Sequence, residues 1–383
     1  MGVKPNSFSM ALAAFKIRTN SVLPKLFTKK FLGIDVGTAS ARVVELEKAG
    51  QRLSLSNYGG IDLDLLETDV PKLSSKAMVV FSTDEIAEAI QAVLSQAKIK
   101  TRQCAFSIPD FSTFFTNFTL PPMTKKELPE AVLFEARQHI PLPIENVTVD
   151  WQLVGGGFDM PQKIEVTVAA IPNEIIARYK EIAQKAKLEI LLLEAEMFGL
   201  TQALVPLSEG RPVCLIDIGA QSTVCSLIEN HVLRYSHSFD RGSIYLANEL
   251  IGRLPLEPDA VEDVKLNYGL KFIPYMDPEI RQKIKQILSE LLVPIFREVE
   301  MMFSEYRRIS SLEVAKIIFS GGAFAVAEIK DQFSDYFKTD VEIADPFLSI
   351  DHPGQIAAEL KAIGPMYAVA VGMARRGLET DRR

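Results

Sequence analysis

The sequence predicts an α/β protein of two successive lobes, the first interrupted by a small α+β module. Strand-like and helix-like segments alternate along its 383 residues, which is the pattern of layered α/β architecture rather than of a helical bundle or a β-sandwich. Two similar Asp-x-Gly turns, at Asp35 and Asp217, each end an apolar strand and open a fresh run of alternating elements. A hydrophobic fraction of 48% and a charged fraction of 24% are those of an ordinary globular chain, and the length suffices for two cores.

Phe31–Val36 reads as the first strand, a Gly-Thr-Ala-Ser turn follows, and Ala41–Leu46 returns beside it. With Leu53–Tyr58 as a third strand, the chain opens as an antiparallel meander. Thr83–Lys98 carries Ile86, Ile90, Val93 and Leu94 on one face and Asp84 and Glu85 at its start, so it predicts a helix whose acids complement its N-terminal dipole. From Ala105 to Leu193 the order becomes β-α-β-β-α-β, with strands at Phe111–Leu120, Val147–Val154, Lys163–Ile171 and Glu189–Leu193 and helices at Lys125–His139 and Asn173–Ala186. That order predicts an α+β module of its own. Pro141 and Pro143 stop its first helix, and Gly155-Gly156-Gly157 supply a hairpin turn.

A second α/β unit begins with the strand Val213–Ile218, and a helix at Ser243–Ile251 follows a further strand. Asp277 as N-cap and Pro278 at the first helical position start a long amphipathic stretch through Ile280, Ile284, Leu288, Leu291 and Ile295 to Tyr306, which Pro294 should kink. The strand Lys316–Ser320 ends in Gly321-Gly322, and a helix at Met366–Gly372 closes the fold.

The net charge of −7 argues against a binder of nucleic-acid backbone, which presents a basic stripe. Cys104, Cys214 and Cys225 are odd in number and form no C-x-x-C pair, so they read as small buried hydrophobes rather than as a disulfide or zinc framework. His139, His231, His237 and His352 show no ligand spacing. No unbroken apolar run approaches the roughly 18 residues that span a bilayer, so any membrane link is expected to be peripheral. The basic leader, residues 1–30, carries Lys4, Lys16, Arg18, Lys25, Lys29 and Lys30 and no acid. It reads either as a flexible segment or, through Phe8, Leu12 and Phe15 on one helical face, as a contact for an anionic membrane. Met10–Phe15 is too short for a signal peptide.

The chemistry is concentrated in the paired turns, Gly33–Ser40 and Asp217–Thr223. Each has an apolar strand ending in Asp, a Gly that lets backbone N–H groups approach a ligand, and hydroxyl residues as further donors, a combination that suits a polyphosphate held between two lobes. In the first, Gly37, Thr38, Ala39 and Ser40 are the candidate contacts, and in the second Gly219, Ala220, Gln221 and Ser222. Asp35 and Asp217 are the candidate holders of Mg²⁺ through its retained waters. One such turn is ordinary hairpin chemistry; two, opening successive halves, point to a ligand. Neither a G-x-x-x-x-G-K-[ST] loop nor a G-x-G-x-x-G fingerprint after a strand is present.

Phe31–Leu46 resembles the first phosphate motif of the actin-like ATPases, in the form found in the PilM family of type IV pilus assembly proteins, and Asp217–Thr223 resembles the second. Ile317–Ala323 is similar to the adenosine motif, which implies Gly321, Gly322 and Ala323 beside the base. Ala260–Lys265 resembles the family's E-x-x-K element, implying Glu262 at the ribose and Lys265 at the adenine. Arg42 stands where the superfamily usually has a phosphate-binding Lys, and Glu196, in the first inter-lobe connection, is implied to position an attacking water. The alternative for Glu196 is a surface carboxylate on a helix start. Phe134–Val147 with Val149-Asp150-Trp151 is similar to the stretch that distinguishes the PilM family, its inserted subdomain 1C.

The resemblance, over residues 31–374, implies a two-lobed actin-like, ribonuclease-H-like ATPase fold. Its parts would be 1A at 31–104 completed by 364–376, 1C at 105–194, 2A at 211–242 and 315–363, and 2B at 243–314. It also implies ATP and Mg²⁺ as ligands, at most slow hydrolysis, and a cytoplasmic place at the inner face of the membrane. The implied partner is the N-terminal peptide of PilN, docking among Phe114–Leu120 and Glu135–Ile140, with pilus motor ATPases beyond it. Two rivals share the fold: an FtsA-like filament former and a small-molecule kinase. The polar stretch Arg375–Arg383 weighs against the linker and amphipathic helix in which FtsA ends, and no catalytic Asp beside a polar sugar pocket is legible.

Overall fold

In the computed structural model, residues 28–63, 81–156, 162–254, 277–310, 312–322 and 327–379 are described. Strand β1 (Lys29–Val36) pairs antiparallel with β2 (Ser40–Ala49), which pairs with β3 (Arg52–Asp62). Two strands the chain reaches later, β4 (Gln103–Ile108) and β8 (Glu189–Ala195), extend the sheet in parallel, giving the order β3-β2-β1-β4-β8. Because strand side chains alternate between faces, Leu32, Ile34 and Val43 enter one core and Phe31, Val44 and Leu46 another. Helices α1 (Thr83–Gln96) and α3 (Asn173–Lys185) close the first of these with Ile86, Ile90, Ile176 and Ile182. A capping box starts α1: Ser82 Oγ accepts from the Glu85 N–H and Glu85 accepts from the Ser82 N–H.

The second sheet repeats this plan. β9 (Val213–Ile218), β10 (Thr223–Glu229) and β11 (Val232–Phe239) form an antiparallel meander, and β12 (Lys316–Ser320) and β13 (Asp340–Ile343) add in parallel, in the order β11-β10-β9-β12-β13. Helix α5 (Ser243–Arg253) follows the meander. The long α6 (Pro278–Ile309) starts as expected, Asp277 accepting from the Glu279 N–H at 2.7 Å, and stays one helix through Pro294. Its Leu292, Ile295, Val299, Met302 and Phe303 share a core with Phe333 of α7 (Ala327–Phe337).

The third sheet is antiparallel, β5 (Phe114–Leu120), β7 (Ile164–Pro172) and β6 (Val147–Gly155) in the order β5-β7-β6, and α2 (Leu128–His139) covers it with Leu128, Val132 and Ala136. The inserted module is therefore smaller than the β-α-β-β-α-β reading. Its expected last helix and strand, α3 and β8, return to the first sheet, where the apolar face of α3 finds α1 and β8 finds the open edge of β4. The module also touches the second lobe: Asn117 Nδ2 donates to the Arg234 carbonyl at 2.9 Å, and Glu165 lies 3.5 Å from the Arg234 guanidinium.

Two further expectations change. The closing helix, expected at Met366–Gly372, is α8 (Ala357–Glu379), running through Gly364-Pro365. Burial overrides the local cost of that pair, because α8 lies against both lobes, packing on β1, β2, β4, β12 and α4 (Glu196–Leu204). One stretch, Gly354–Glu379, is also long and apolar enough to span a bilayer, with mean hydropathy 1.3. Here its side chains fill the core: Tyr367, Val369, Val371 and Met373 are buried. The basic leader through residue 27 and the third glycine of the hairpin, Gly157, lie outside the described residues.

Candidate functional site

Where β1 turns into β2, Asp35 pairs with Arg42, and the chain closes with the Gly37 N–H donating to the Ser40 carbonyl at 2.9 Å. Where β9 turns into β10, Asp217 pairs with Val224, and the Gly219 N–H donates to the Ser222 carbonyl at 2.9 Å. The two turns thus share one closure, with Thr38 and Ala39 at the tip of the first and Ala220 and Gln221 at the tip of the second.

Each Asp is braced by a serine from the neighbouring parallel strand. Ser107 of β4 donates to Asp35 Oδ1 at 2.6 Å, and Ser320 of β12, in register with Asp217, hydrogen-bonds its side chain. Both serines are buried, and both follow a fully buried phenylalanine, Phe106 or Phe319. The repeated Phe-Ser strand end is the sequence signal for this brace. It escapes the motif reading because β4 does not stand out as a strand in the sequence.

Two elements fix the second turn from behind. The first N–H groups of α5, on Ser243 and Ile244, donate to the Gly219 and Ala220 carbonyls at 3.0 and 2.9 Å. After β12, Gly321 has φ +103° and donates its N–H to the Pro365 carbonyl at 3.1 Å. A Cβ there would collide with the Ile218 carbonyl, so glycine is required on two counts. Gly321 and Gly322 therefore lie beside the second turn. Ala323, Glu262 and Lys265 lie outside the described residues.

Arg42 flanks Asp35, but its guanidinium is engaged elsewhere, with Asp62 at 2.7 Å and the Ile61 carbonyl at 3.1 Å. A phosphate would have to compete with Asp62 for it. Glu196 is the first residue of α4 and is not a surface carboxylate: it accepts from the Asp110 N–H at 3.3 Å and faces other acids. Asp110, which follows β4 by way of Pro109, caps α4 in return, its Oδ1 accepting the Met197 N–H at 3.2 Å. No motif marks Asp110; a Pro-Asp step directly after a strand is its one local signal.

Four carboxylates thus converge from both lobes. Burial holds Asp35 above the usual carboxylate range, against the Ser107 hydrogen bond and the Arg42 charge. Burial, then the charge of Asp35, pushes Asp217 up to about 6 despite Ser320. Asp110 is pushed up to about 7 by burial and by Asp217 and Asp35, against the Met197 N–H. Glu196 is raised well above its ordinary value by burial and then by Asp35, Asp110 and Asp217. The charge of Asp35, on the first sheet, thus contributes to raising Asp217, on the second.

A divalent cation fits this arrangement, because it would relieve the mutual repulsion. Among the described residues no group of three or more His, Cys, Asp or Glu side chains is set to hold a metal directly.

A duplicated five-stranded sheet, each copy carrying an acid at its first turn, defines the actin-like ATPase fold, of ribonuclease-H-like topology and here with an inserted α+β module. The chain belongs to the family of type IV pilus assembly protein PilM, whose profile matches residues 33–378. The solved PilM–PilN type IV pilus biogenesis complex shares the fold with a TM-score of 0.75 and 24% identity, over 91% of this chain and 98% of that one. Ethanolamine utilization protein EutJ from Carboxydothermus hydrogenoformans aligns at 0.51 and 14% identity, over 92% of this chain and 90% of that one. MreB5 of Spiroplasma citri, bound to ADP, also aligns at 0.51 and 14%, over 92% and 97%. Cell division protein FtsA of Streptococcus pneumoniae serotype 2 (strain D39 / NCTC 7466) is 20% identical over 278 residues, which are 66% of this chain and 58% of that protein's length.

Proposed function

We propose that this chain is a cytoplasmic scaffold of the type IV pilus assembly machinery, at the inner face of the membrane, whose two lobes bind ATP and Mg²⁺ between them. The observation that carries the reading is the duplicated, serine-braced Asp turn. The N–H groups of the two turns cradle the phosphates, Asp35 and Asp217 hold the ion through water, and Gly321-Gly322 admit the adenosine. Bound Mg²⁺ supplies charge neutralisation for the phosphates. Hydrolysis is slow, and the lobes' closure is the signal.

That signal is read by the N-terminal peptide of PilN and passed on to the pilus motor ATPases. The likeness to the solved PilM–PilN complex supports the partner. The docking surface runs along β5 and the end of α2, where Phe134 is 66% exposed and the His139 ring stacks on Phe118 at 5.4 Å. Calorimetry with ATP and Mg²⁺ tests the nucleotide site: wild type should bind, and Asp35→Ala combined with Asp217→Ala should not, at matched stability. No binding by folded wild type would leave a nucleotide-independent scaffold. Undiminished binding of the PilN peptide by a folded Phe134→Glu variant would remove β5 and α2 as its site.

A further inference from the structure

Glu196 is held by a residue that the motif reading does not include. α4 has no side-chain cap of its own, since its N-cap position is Ala195. Asp110 supplies one from another element: its Oδ1 receives the Met197 N–H at 3.2 Å while its own N–H donates to Glu196 Oε2 at 3.3 Å. The two bonds run in opposite directions between the strand end that carries Ser107 and the helix start that carries Glu196. A glutamate at a helix start has three side-chain torsions free to turn; fixing Oε2 restrains them and leaves Oε1 for another partner.

Capping alone does not account for Asp110. Asp110 is 5% exposed, and its Oδ2 is buried without a hydrogen-bond partner among the described residues. An orphaned buried oxygen costs stability, and Ser, Thr or Asn would cap the helix equally well. Capping also leaves unexplained the reciprocal bond from the Asp110 N–H to Glu196, which ties the helix start back to the strand end that carries Ser107.

We infer that Asp110 is a positioning residue for nucleotide hydrolysis, holding Glu196 turned into the cleft so that its free oxygen can orient the attacking water. The inference rests on the nucleotide reading above. In the reaction the water oxygen bonds to the terminal phosphorus, the bond from that phosphorus to the leaving diphosphate breaks, and the water's proton leaves through Glu196 to solvent.

The test uses the full chain and three readouts: calorimetric affinity for a non-hydrolysable ATP analogue with Mg²⁺, single-turnover hydrolysis of ATP, and exchange of the Met197 amide hydrogen. Asp110→Ala should leave affinity within about twofold, slow hydrolysis by about a hundredfold, the scale of a misplaced catalytic group, and speed Met197 exchange. Both variants keep the backbone N–H that meets Glu196, but Asp110→Asn also keeps the Oδ1 acceptor that ties this turn to Met197, so it should restore slow exchange and most of the hydrolysis. Adding Asp110→Ala to Glu196→Ala should slow hydrolysis no further. Wild-type hydrolysis in Asp110→Ala, lost affinity in that variant, or an Asn variant as impaired as Ala would each overturn the inference. Wild type that binds nucleotide without turning it over would overturn it alone, whereas wild type that binds none would remove the nucleotide reading and this inference together.

Discussion

At the scale of single residues, the strongest commitment outside the cleft is the Glu194–Arg376 ion pair, 3% and 5% exposed, which joins β8 to α8. Arg376→Met would strand a buried carboxylate, and a loss of about 3–5 kcal/mol in denaturant unfolding is expected. Replacing both partners, Glu194→Leu with Arg376→Met, should cost far less, because no charge remains to be desolvated. Nearby, burial pushes Asp150 up to about 7, with Glu194 adding to the shift and the Trp151 N–H and Arg376 opposing it. A carboxyl whose folded pKa is raised favours the folded state fully below its unfolded pKa, near 3.8, and loses that contribution as pH rises to about 7. Asp150→Asn removes this slope, so its melting temperature relative to wild type should climb between pH 4 and pH 7 and then level off. The paired Asp turns were legible at this scale because their residue types recur at matching offsets. Ser107, Ser320 and Asp110 were not, since each acts from a strand or turn far away in sequence.

At the scale of elements, the opening meander and α6 are readable from periodicity and capping, and β9 and β12 take their expected bounds, whereas the second meander's third strand, β11, is not read. The grouping of α3 and β8 is not readable, because an amphipathic helix does not say which sheet it covers. The length of α8 is hidden by Gly364-Pro365, a local stop signal outweighed by packing that only the assembled lobes supply. That packing can be tested where α8 crosses α4. A Cβ on Gly372 would overlap the Gly199 carbonyl, so Gly372→Ala is expected to cost about 1–3 kcal/mol as an overpacked contact, read by denaturant unfolding. At the opposite extreme, Ser82→Ala removes only the box that starts α1 and should cost about 1 kcal/mol.

At the scale of the whole molecule, two sheets of like topology share one helix, and that helix is the last described element of the chain. Removing residues 357–383 should therefore unfold the first lobe, seen as rapid proteolysis between β1 and β4, although none of its strands has been deleted. α8 meets β1 so closely that Gly33 has no room for a side chain beneath Ala370, and it buries Phe31, Val44 and Leu46 of that sheet. About 300 residues separate the end of β2 from the start of α8. On a ribosome adding roughly 5–20 residues per second, the first hairpin waits about 15–60 s for the segment that covers it. Until α8 emerges one apolar face of the newborn lobe lacks the helix that covers it, so aggregation during synthesis unless a holding chaperone intervenes is the expected consequence of that order.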